Sequence, residues 1–421
     1  MTSTPISNDH ILARRAIEAL RNGVPSASAV TALGSMQPEA EERFLHQLDQ
    51  LGESNASDLS FVPGLLISGE FGTGKSHTLA WMEQAALEQN FIVSKVVLSK
   101  ETPLHAPAKV FQAAVREARL PQGNGSLIHE LATQIDYRSK EAEPFLNWAI
   151  YQQPHGIIAA TVRIHEVAGD PEMAEAIEDY WSGEKIKVST VKNALKLIGQ
   201  TQAFDIKPLR IAELAPIRFE FGARFARACG YKGWVMLLDE AELIARYTLL
   251  QRGKAYAELA RWLRPTDGNG IQGITAVAAI TRDFAFEMFA NKNDQEDVPD
   301  RLSRKGDVQG QILAEHAISG IDIINNDSTA IKPPDGEMLS TIHSRIRDLY
   351  RDAHDWDAPL SELKNVVLAK SMRSHIRRWI TEWDLARFYP DIKIINIKEG
   401  SISANYEEDS ELSSGADDED V

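Results

Sequence analysis

Apolar residues recur along the first part of the chain with the period of an α-helix. The face they form comprises Ile11, Leu12, Ala16, Ile17 and Leu20. This spacing predicts a helix over 8–22, which Gly23 ends, and a second helix is predicted over 38–51. A polar linker follows at 52–60, so we expect residues 1–60 to form a helical flank rather than a separate enzyme.

From residue 64 the pattern changes to short apolar runs that alternate with helical segments. The run at 64–69 leads into a glycine-rich loop and a predicted helix at 75–89. The other runs that predict buried strands are 91–99, 233–246, 273–284 and a shorter one at 320–326. Strands that alternate with helices indicate a parallel sheet whose strands are joined by crossover helices.

A long helical stretch separates the second predicted strand from the third. Residues 103–229 are predicted to be helical almost throughout, and the part from about 120 to 229 is expected to be a helical insertion in the sheet domain. Two further helices are predicted near the C-terminal end, over 335–354 and 371–385.

Composition indicates a soluble protein with more than one domain. The chain has 421 residues, of which 43% are hydrophobic and 25% charged. The tail "YEEDSELSSGADDEDV" holds eight acidic residues, half of the net charge of −16, and is expected to be disordered. This balance argues against a uniformly basic surface and leaves room only for a local basic patch.

Cysteine use and hydropathy indicate a cytoplasmic location. Cys229 is the single cysteine, so no intramolecular disulfide or cysteine-rich zinc site can form. The opening "MTSTPISNDHILARRAIEAL" lacks the apolar segment of a signal peptide. No uncharged apolar run reaches the ~18 residues that a membrane span requires, so no membrane association is expected.

The loop "GEFGTGKS" at 69–76 matches the full pattern G-x-x-x-x-G-K-[ST] of a phosphate-binding loop. Its glycines allow backbone N–H groups to turn toward phosphate oxygens, and the following helix adds its own N-terminal donors. Lys75 is expected to contact the β- and γ-phosphates, and the Ser76 hydroxyl to bind Mg²⁺. The predicted ATP-binding residues are Gly69, Glu70, Phe71, Gly72, Thr73, Gly74, Lys75, Ser76 and His77.

A pair of acids follows the apolar run "WVMLL". Asp239 and Glu240 lie at the carboxyl end of this predicted strand, where parallel sheets bind their ligands. In a P-loop enzyme the first acid holds Mg²⁺ and the second polarises the attacking water. The alternative is that both acids cap the helix that begins near residue 240. Glu242 is expected to be a solvated helix residue.

Several other polar residues have two interpretations. Thr281, at the end of "TAVAAIT", is expected either to contact the γ-phosphate and orient water or to cap the next helix. Arg301 and Arg304 are candidate arginine fingers for a neighbouring subunit, or else ordinary surface arginines. Arg282 is a weaker candidate of the same kind.

The segment "SMRSHIRRWITEWDLARF" is a basic amphipathic helix. One of its arginines, Arg373, Arg377 or Arg378, is a candidate to sense nucleotide from a lid domain; the alternative is a solvated or DNA-facing surface. The histidines show no metal-binding spacing, and His77 is expected to pack in the first turn of its helix.

The order of these motifs resembles that of AAA-type ATPases of the origin-recognition and STAND branch. The glycine loop is followed by "LLDEAE", "AAITRDF", "IKPPDGEMLSTIHSRIRDLY" and "SMRSHIRRWITEWDL". The resemblance implies an α/β, AAA/ORC-like P-loop core with a parallel sheet and a C-terminal helical lid. It places Thr281 at the first-sensor position, where asparagine is common, and Arg373 at the second, against the nucleotide.

More narrowly, the chain resembles the BREX-system ATP-binding proteins of the BrxD-like group. The segments "RRAIEALRNGVPSASAVTALG" and "RSHIRRWITEWDL" carry this likeness, which extends over about 10–395. It implies ATP binding and hydrolysis in a bacterial or archaeal phage-defence system, alongside other defence proteins.

Motifs and resemblance together predict four parts of the chain and lead to three hypotheses for its function. The parts are a flank at 1–60, a P-loop core at 61–330, a lid at 331–398 and an acidic tail at 399–421. The leading hypothesis is an ATPase, with ATP and Mg²⁺ as cofactors, that acts as a motor or switch. The alternatives are a DNA-binding loader that hydrolyses ATP slowly and a STAND-like regulator that binds protein but not DNA. DNA and further copies of the chain are candidate partners.

Overall fold

The computed structural model describes residues 8–360 and 371–390, together with residues 407 and 409. The gaps within these ranges are 25, 55–58, 124, 154, 168, 201–203, 207–210, 267, 269 and 305. The predicted acidic tail therefore lies outside the described residues, apart from Glu407 and Asp409. Among the described helices, none is both long and apolar enough to cross a lipid bilayer.

Six strands form one sheet in the described part of the chain. They are β1 (Leu65–Gly69), β2 (Ile92–Val97), β3 (Ala118–Arg119), β4 (Trp234–Asp239), β5 (Ile274–Thr281) and β6 (Thr329–Ala330). The order across the sheet is β3-β2-β4-β5-β1-β6, and each neighbouring pair is parallel except β2 and β3. The predicted α/β class with a mostly parallel sheet is confirmed.

The central strands lack the alternation of polar and apolar residues that is typical of a half-exposed strand. Every residue of β1, β4 and β5 is buried, as parallel strands are when helices cover both faces of a sheet. Because these three strands are parallel neighbours, their carboxyl ends lie side by side. That edge is where open α/β sheets bind ligands.

Helices occupy most of the remaining described chain. They are α1 (Asn8–Asn22), α2 (Ala27–Leu33), α3 (Pro38–Glu53), α4 (Lys75–Glu88), α5 (Pro107–Arg116), α6 (Leu127–Gln134), α7 (Glu143–Asn147), α8 (Gly156–Val167), α9 (Pro171–Ser182), α10 (Val188–Leu197), α11 (Ile211–Ala228), α12 (Leu249–Leu263), α13 (Asp294–Ser303), α14 (Val308–Asn326), α15 (Gly336–His354) and α16 (Met372–Phe388). A 3₁₀-helix, Ala241–Arg246, follows β4. The helices predicted at 8–22, 38–51, 75–89, 335–354 and 371–385 are confirmed to within three residues.

Two apolar clusters cover the two faces of the sheet. On one face the helices between β3 and β4 pack against the strands, and Phe219 of α11 lies 5.7 Å from Trp234 of β4, between ring centroids. On the other face α3 and α4 contribute Phe44, Leu79 and Met82. The helices of the expected insertion therefore share a continuous core with the sheet, while the domain boundaries stay a prediction.

A third apolar cluster joins helices from the two ends of the described chain. Its members from α1, α2, α15 and α16 include Ala13, Ile17, Leu20, Leu33, Leu339, Ile346, Trp379 and Trp383. Polar contacts reinforce it, because Asp384 accepts hydrogen bonds from Arg21 at 2.6 Å and from the Tyr350 hydroxyl at 2.7 Å. Thus α1 and α2 pack with α15 and α16, whereas α3 packs on the sheet.

The prediction of a strand at 320–326 is wrong, because this segment is the end of α14. The buried residues of α14 follow a helical period and include Ala314, Ala317, Ile321 and Ile324. Gly320 allows a close approach to α12, since a Cβ there would lie 2.0 Å from the Tyr256 carbonyl oxygen. The short strand of this region is β6 instead.

A buried ion pair holds α13 against α12. Arg252 Nε lies 2.9 Å from Asp294 Oδ2, and the Tyr256 hydroxyl donates to the same oxygen at 2.7 Å. The Asp294 side chain is 0% exposed and that of Arg252 is 5% exposed. A carboxylate buried this deeply needs such partners, so the network fixes the position of α13.

Candidate functional site

The glycine loop connects the end of β1, at Gly69, to the start of α4, at Lys75. Gly72 has a φ of +80° and Gly74 a φ of +111°, which residues with a Cβ rarely adopt. Thr73 Oγ1 donates a hydrogen bond to the Glu70 carbonyl oxygen at 2.8 Å and thereby closes the loop. The loop leads directly into the N-terminus of α4, whose first N–H groups are suited to an anion.

The Lys75 side chain is folded back on the loop that carries it. Its Nζ donates to the Gly69 carbonyl oxygen at 3.0 Å and to that of Glu70 at 3.5 Å. The same nitrogen lies 4.0 Å from Glu242 Oε1, and Lys75 is only 8% exposed. A buried ammonium group is therefore held at the mouth of the loop by two carbonyls and one carboxylate.

Asp239 and Glu240 lie at the carboxyl end of β4, as predicted, but in different surroundings. Asp239 is buried; its Oδ1 accepts from the Glu240 backbone N–H at 3.1 Å, and its Oδ2 lies 3.8 Å from Lys95 Nζ. Glu240 is exposed and has a φ of +63°, a strained value for a residue with a Cβ. Lys95, on β2, is a cation beside the site that the sequence motifs did not single out.

Glu242 is largely buried beside Lys75, so the expectation of a solvated residue is wrong. The chain turns sharply at Glu240 and continues as a 3₁₀-helix, which leaves the Glu242 side chain 11% exposed. Burial raises the pKa of Glu242 to about 7, against the opposing effect of Lys75. Burial and the adjacent Asp239 also raise the pKa of Glu240, against the opposing effect of Lys75.

Thr281, the last residue of β5, lies between the glycine loop and the acidic strand end. It is the register partner of Gly69, and the next residue, Arg282, donates its backbone N–H to the Gly69 carbonyl oxygen at 3.2 Å. Thr281 is buried. Since β5 separates β1 from β4, this threonine is brought to the same edge as Lys75 and Asp239.

Arg373 approaches the loop from α16. Its backbone N–H donates to the Gly72 carbonyl oxygen at 3.4 Å, and its guanidinium carbon lies 5.6 Å from the centre of the Phe71 ring. The Nη2 atom donates to the Gly23 carbonyl oxygen at 3.3 Å. Arg373 thus joins the glycine loop to the turn after α1.

His77 is also linked to the N-terminal helices. Its Nε2 lies 2.7 Å from the Gly34 carbonyl oxygen, so this nitrogen carries the proton. Burial lowers the pKa of His77. In the described residues no group of three or more His, Cys, Asp or Glu side chains could hold a metal ion.

A cavity lies between the glycine loop and the helices from the chain ends. Of the predicted loop residues, those from Phe71 to His77 line it, as do Glu240, Glu242 and Arg373. The rest of the lining, called the apolar wall below, comes from the helices of the chain ends and the turns beside them; apart from Ser35, Gln37 and two glycines it comprises Leu20, Val24, Leu33, Met36, Met338, Ile342, Met372 and Ile376. The sequence motifs missed this wall, because only the packing of α1 and α2 on α15 and α16 brings its residues together.

Arg301 and Arg304 lie away from this cavity. Arg301 is near the end of α13 and Arg304 directly follows it; both are exposed, and neither lines the cavity. A role for either residue in another subunit's site stays a prediction.

Comparison of the sequence with models of known families gives a match over most of the chain. The model of the family described as BREX system ATP-binding protein BrxC/D matches residues 10–203 and 219–377. No curated protein and no solved structure matches the chain. Because the family match covers most of the sequence, including the glycine loop, the acidic strand end and Arg373, the chain belongs to the BREX system ATP-binding protein BrxC/D family.

Proposed function

We propose that this chain is a Mg²⁺-dependent ATPase of the AAA type that acts as a motor or switch in anti-phage defence. The observation that carries the proposal is the cavity with two unlike walls. One wall offers backbone N–H donors, Lys75 and Arg373 to phosphates, and the other offers apolar side chains to a base. ATP has the same division between a charged and an apolar end.

The phosphate wall supports the assigned roles. Positive-φ glycines at 72 and 74 and the N-terminus of α4 provide a cradle of N–H groups for the β- and γ-phosphates. Lys75 would exchange the Gly69 and Glu70 carbonyls for phosphate oxygens. The Ser76 hydroxyl and the Asp239 carboxylate are hard oxygen ligands that suit Mg²⁺, which would neutralise phosphate charge.

Hydrolysis is assigned to the strand ends. Glu240 is exposed and follows the buried Asp239 directly, so it can accept a proton from, or polarise, a water molecule near the γ-phosphate. Thr281, at the end of the strand between β1 and β4, would orient that water. This order, with a strand between the loop strand and the acidic strand, supports the AAA/ORC-like assignment.

The lid of this ATPase is proposed to include both ends of the chain. Helices α1 and α2 share an apolar core with α15 and α16, and Arg373 and His77 connect this body to the glycine loop. This modifies the predicted division into a flank at 1–60 and a lid at 331–398. ATP bound between the lid and the core would hold them together, and hydrolysis would release them.

Partners follow from family membership and exposed charge. Other BREX proteins are the proposed partners, and DNA and further copies of the chain are candidates. Arg301 and Arg304 are exposed and would be available to a neighbouring copy. On α16, Arg377 is exposed, whereas Arg378 pairs with Glu382 at 2.6 Å.

Steady-state ATP hydrolysis with Mg²⁺ tests the proposal, measured with and without duplex DNA. Wild type is compared with Lys75→Ala and Glu240→Gln, and ATP binding is measured in parallel. We expect both variants to lose turnover by roughly 100-fold or more, while Glu240→Gln still binds ATP. Turnover that is equal in Lys75→Ala and wild type, or a folded wild type that does not bind ATP, would overturn the proposal. Stimulation by DNA would favour a motor or loader over a regulator that binds only protein.

A further inference from the structure

Glu242 occupies a position that the proposed chemistry leaves without a role. Its Oε1 lies 4.0 Å from Lys75 Nζ, and both side chains are about one-tenth exposed, at 9% for Lys75 and 11% for Glu242. The other oxygen, Oε2, is buried and has no hydrogen-bond partner among the described residues.

We propose that Glu242 is a positioning residue that holds Lys75 in the nucleotide-free chain and competes with the triphosphate for its ammonium group. This inference rests on the proposed function, since it concerns the same nucleotide site. Glu242 and the Gly69 and Glu70 carbonyls are the groups that contact the Lys75 ammonium. Binding of ATP must break the contact between Glu242 and Lys75 before Lys75 can reach the β- and γ-phosphates.

Charge gives the contact its selectivity. A carboxylate beside the phosphate cradle repels a ligand in proportion to the negative charge that the ligand brings toward Lys75. ATP and ADP place phosphates beyond the α-position near this lysine, whereas AMP does not. The competition by Glu242 should therefore be strongest for ATP, weaker for ADP and absent for AMP.

Titration calorimetry of the full chain at about pH 8.5, above the raised pKa of Glu242, with Mg²⁺ and ATP, ADP or AMP tests this inference. Glu242→Gln keeps the shape of the side chain and removes its charge. We expect it to bind ATP roughly three- to tenfold more tightly than wild type, with a smaller gain for ADP and no change for AMP. Glu315→Gln, at an exposed position of α14, is the matched control and should bind all three as wild type does.

Two further variants separate the contact with Lys75 from a general effect of charge. Glu240→Gln removes a charge from the same motif, and we expect a smaller gain in ATP affinity than Glu242→Gln gives. In a Lys75→Ala background the gain from Glu242→Gln should be smaller than in wild type, because the competing contact is already absent and only direct repulsion between Glu242 and the phosphates remains. Glu242→Ala replaces Glu242→Gln if the latter does not fold.

Unchanged or weaker ATP binding by Glu242→Gln, equal gains for ATP and AMP, or an undiminished gain without Lys75 would each overturn the role of Glu242. If wild type binds ATP in a Lys75-dependent way, these results leave the proposed function intact. If wild type does not bind ATP at all, both proposals fail.

Discussion

The backbone N–H of Arg373, in the first turn of α16, donates a hydrogen bond to the carbonyl oxygen of Gly72 at 3.4 Å. The guanidinium group of the same residue continues to the Gly23 carbonyl oxygen, 350 positions away in the sequence. One residue therefore contacts both the glycine loop and the turn that follows α1. Nucleotide binding at Gly72 would be sensed directly by the helices of both chain ends.

Removal of the Arg373 guanidinium should weaken ATP binding by roughly tenfold or more, since a hydrogen bond to a charged group contributes about 1.5–3 kcal/mol. Arg373→Lys should lie between Arg373→Ala and wild type, because an ammonium group keeps the charge but loses the planar fork. Calorimetric titration with ATP gives the affinities. Arg377→Ala, an exposed position one turn further along α16, is the control, and an equal loss there would contradict the role of Arg373.

The apolar wall should determine affinity for the base. Val24 lines the cavity but is 58% exposed, so Val24→Asp should leave the melting temperature nearly unchanged while it lowers ATP affinity roughly tenfold through repulsion and lost apolar contact. Val308→Asp, at a residue that is 70% exposed and does not line the cavity, is the matched substitution. The prediction fails if both variants bind ATP equally well.

Stability should depend strongly on the buried pair of Arg252 and Asp294. Asp294→Ala leaves a buried guanidinium without its carboxylate, which costs about 3–5 kcal/mol. We expect the melting temperature to fall by roughly 10 °C in scanning fluorimetry. Asp297→Ala, an exposed position on the same helix, should change it little. A small effect of Asp294→Ala would mean that the pair does not hold α13 in place.

Mild acid should destabilise the fold in part through His354. Burial lowers the pKa of His354 to about 4, and the nearby Arg387 acts in the same direction. The unfolded chain has a histidine pKa of about 6.5, so between these values only the unfolded state binds the proton. The contribution of this neutral histidine is therefore complete above about pH 6.5 and is lost as the pH falls toward 4.

Replacement of His354 checks this dependence. His354→Gln cannot take up the proton, so its melting temperature should fall less than that of wild type between pH 7.5 and pH 5. His46→Gln, at an exposed histidine, should fall as wild type does. Parallel curves for wild type and His354→Gln would show that another group is responsible.

The strand, glycine loop and helix at 65–88 were predictable because their pattern is contained in contiguous residues, whereas phosphate binding by the loop stays a prediction. Eight positions specify the turn, the cation and the hydroxyl, and the apolar run before them specifies a buried strand. The register of Thr281 with Gly69 is a finding of the structure, because it depends on which strands are neighbours. Whether Thr281 orients water stays a prediction.

Residues whose environment depends on distant partners were harder to predict from the sequence. Glu242 follows an acidic strand end and looks like a solvated helix residue until the 3₁₀-helix turns it toward Lys75. Taken alone, the isoleucines at 320–326 resemble a strand. Within the whole of α14, however, the buried residues follow a helical period, and Gly320 allows the helix to pack closely on α12. The apolar wall has no local signature at all, since it is assembled from helices at opposite ends of the sequence.

The meeting of these ends has a consequence for how the protein is made. During translation α1 and α2 leave the ribosome long before α15 and α16 exist, by roughly 20–70 s at about 5–20 residues per second. Throughout that interval their apolar faces lack the helices that cover them, and the apolar wall of the cavity is incomplete. A nascent or prematurely ended chain would carry a finished glycine loop but no closed cavity, so the proposed response to ATP would arise only once α15 and α16 have been synthesised.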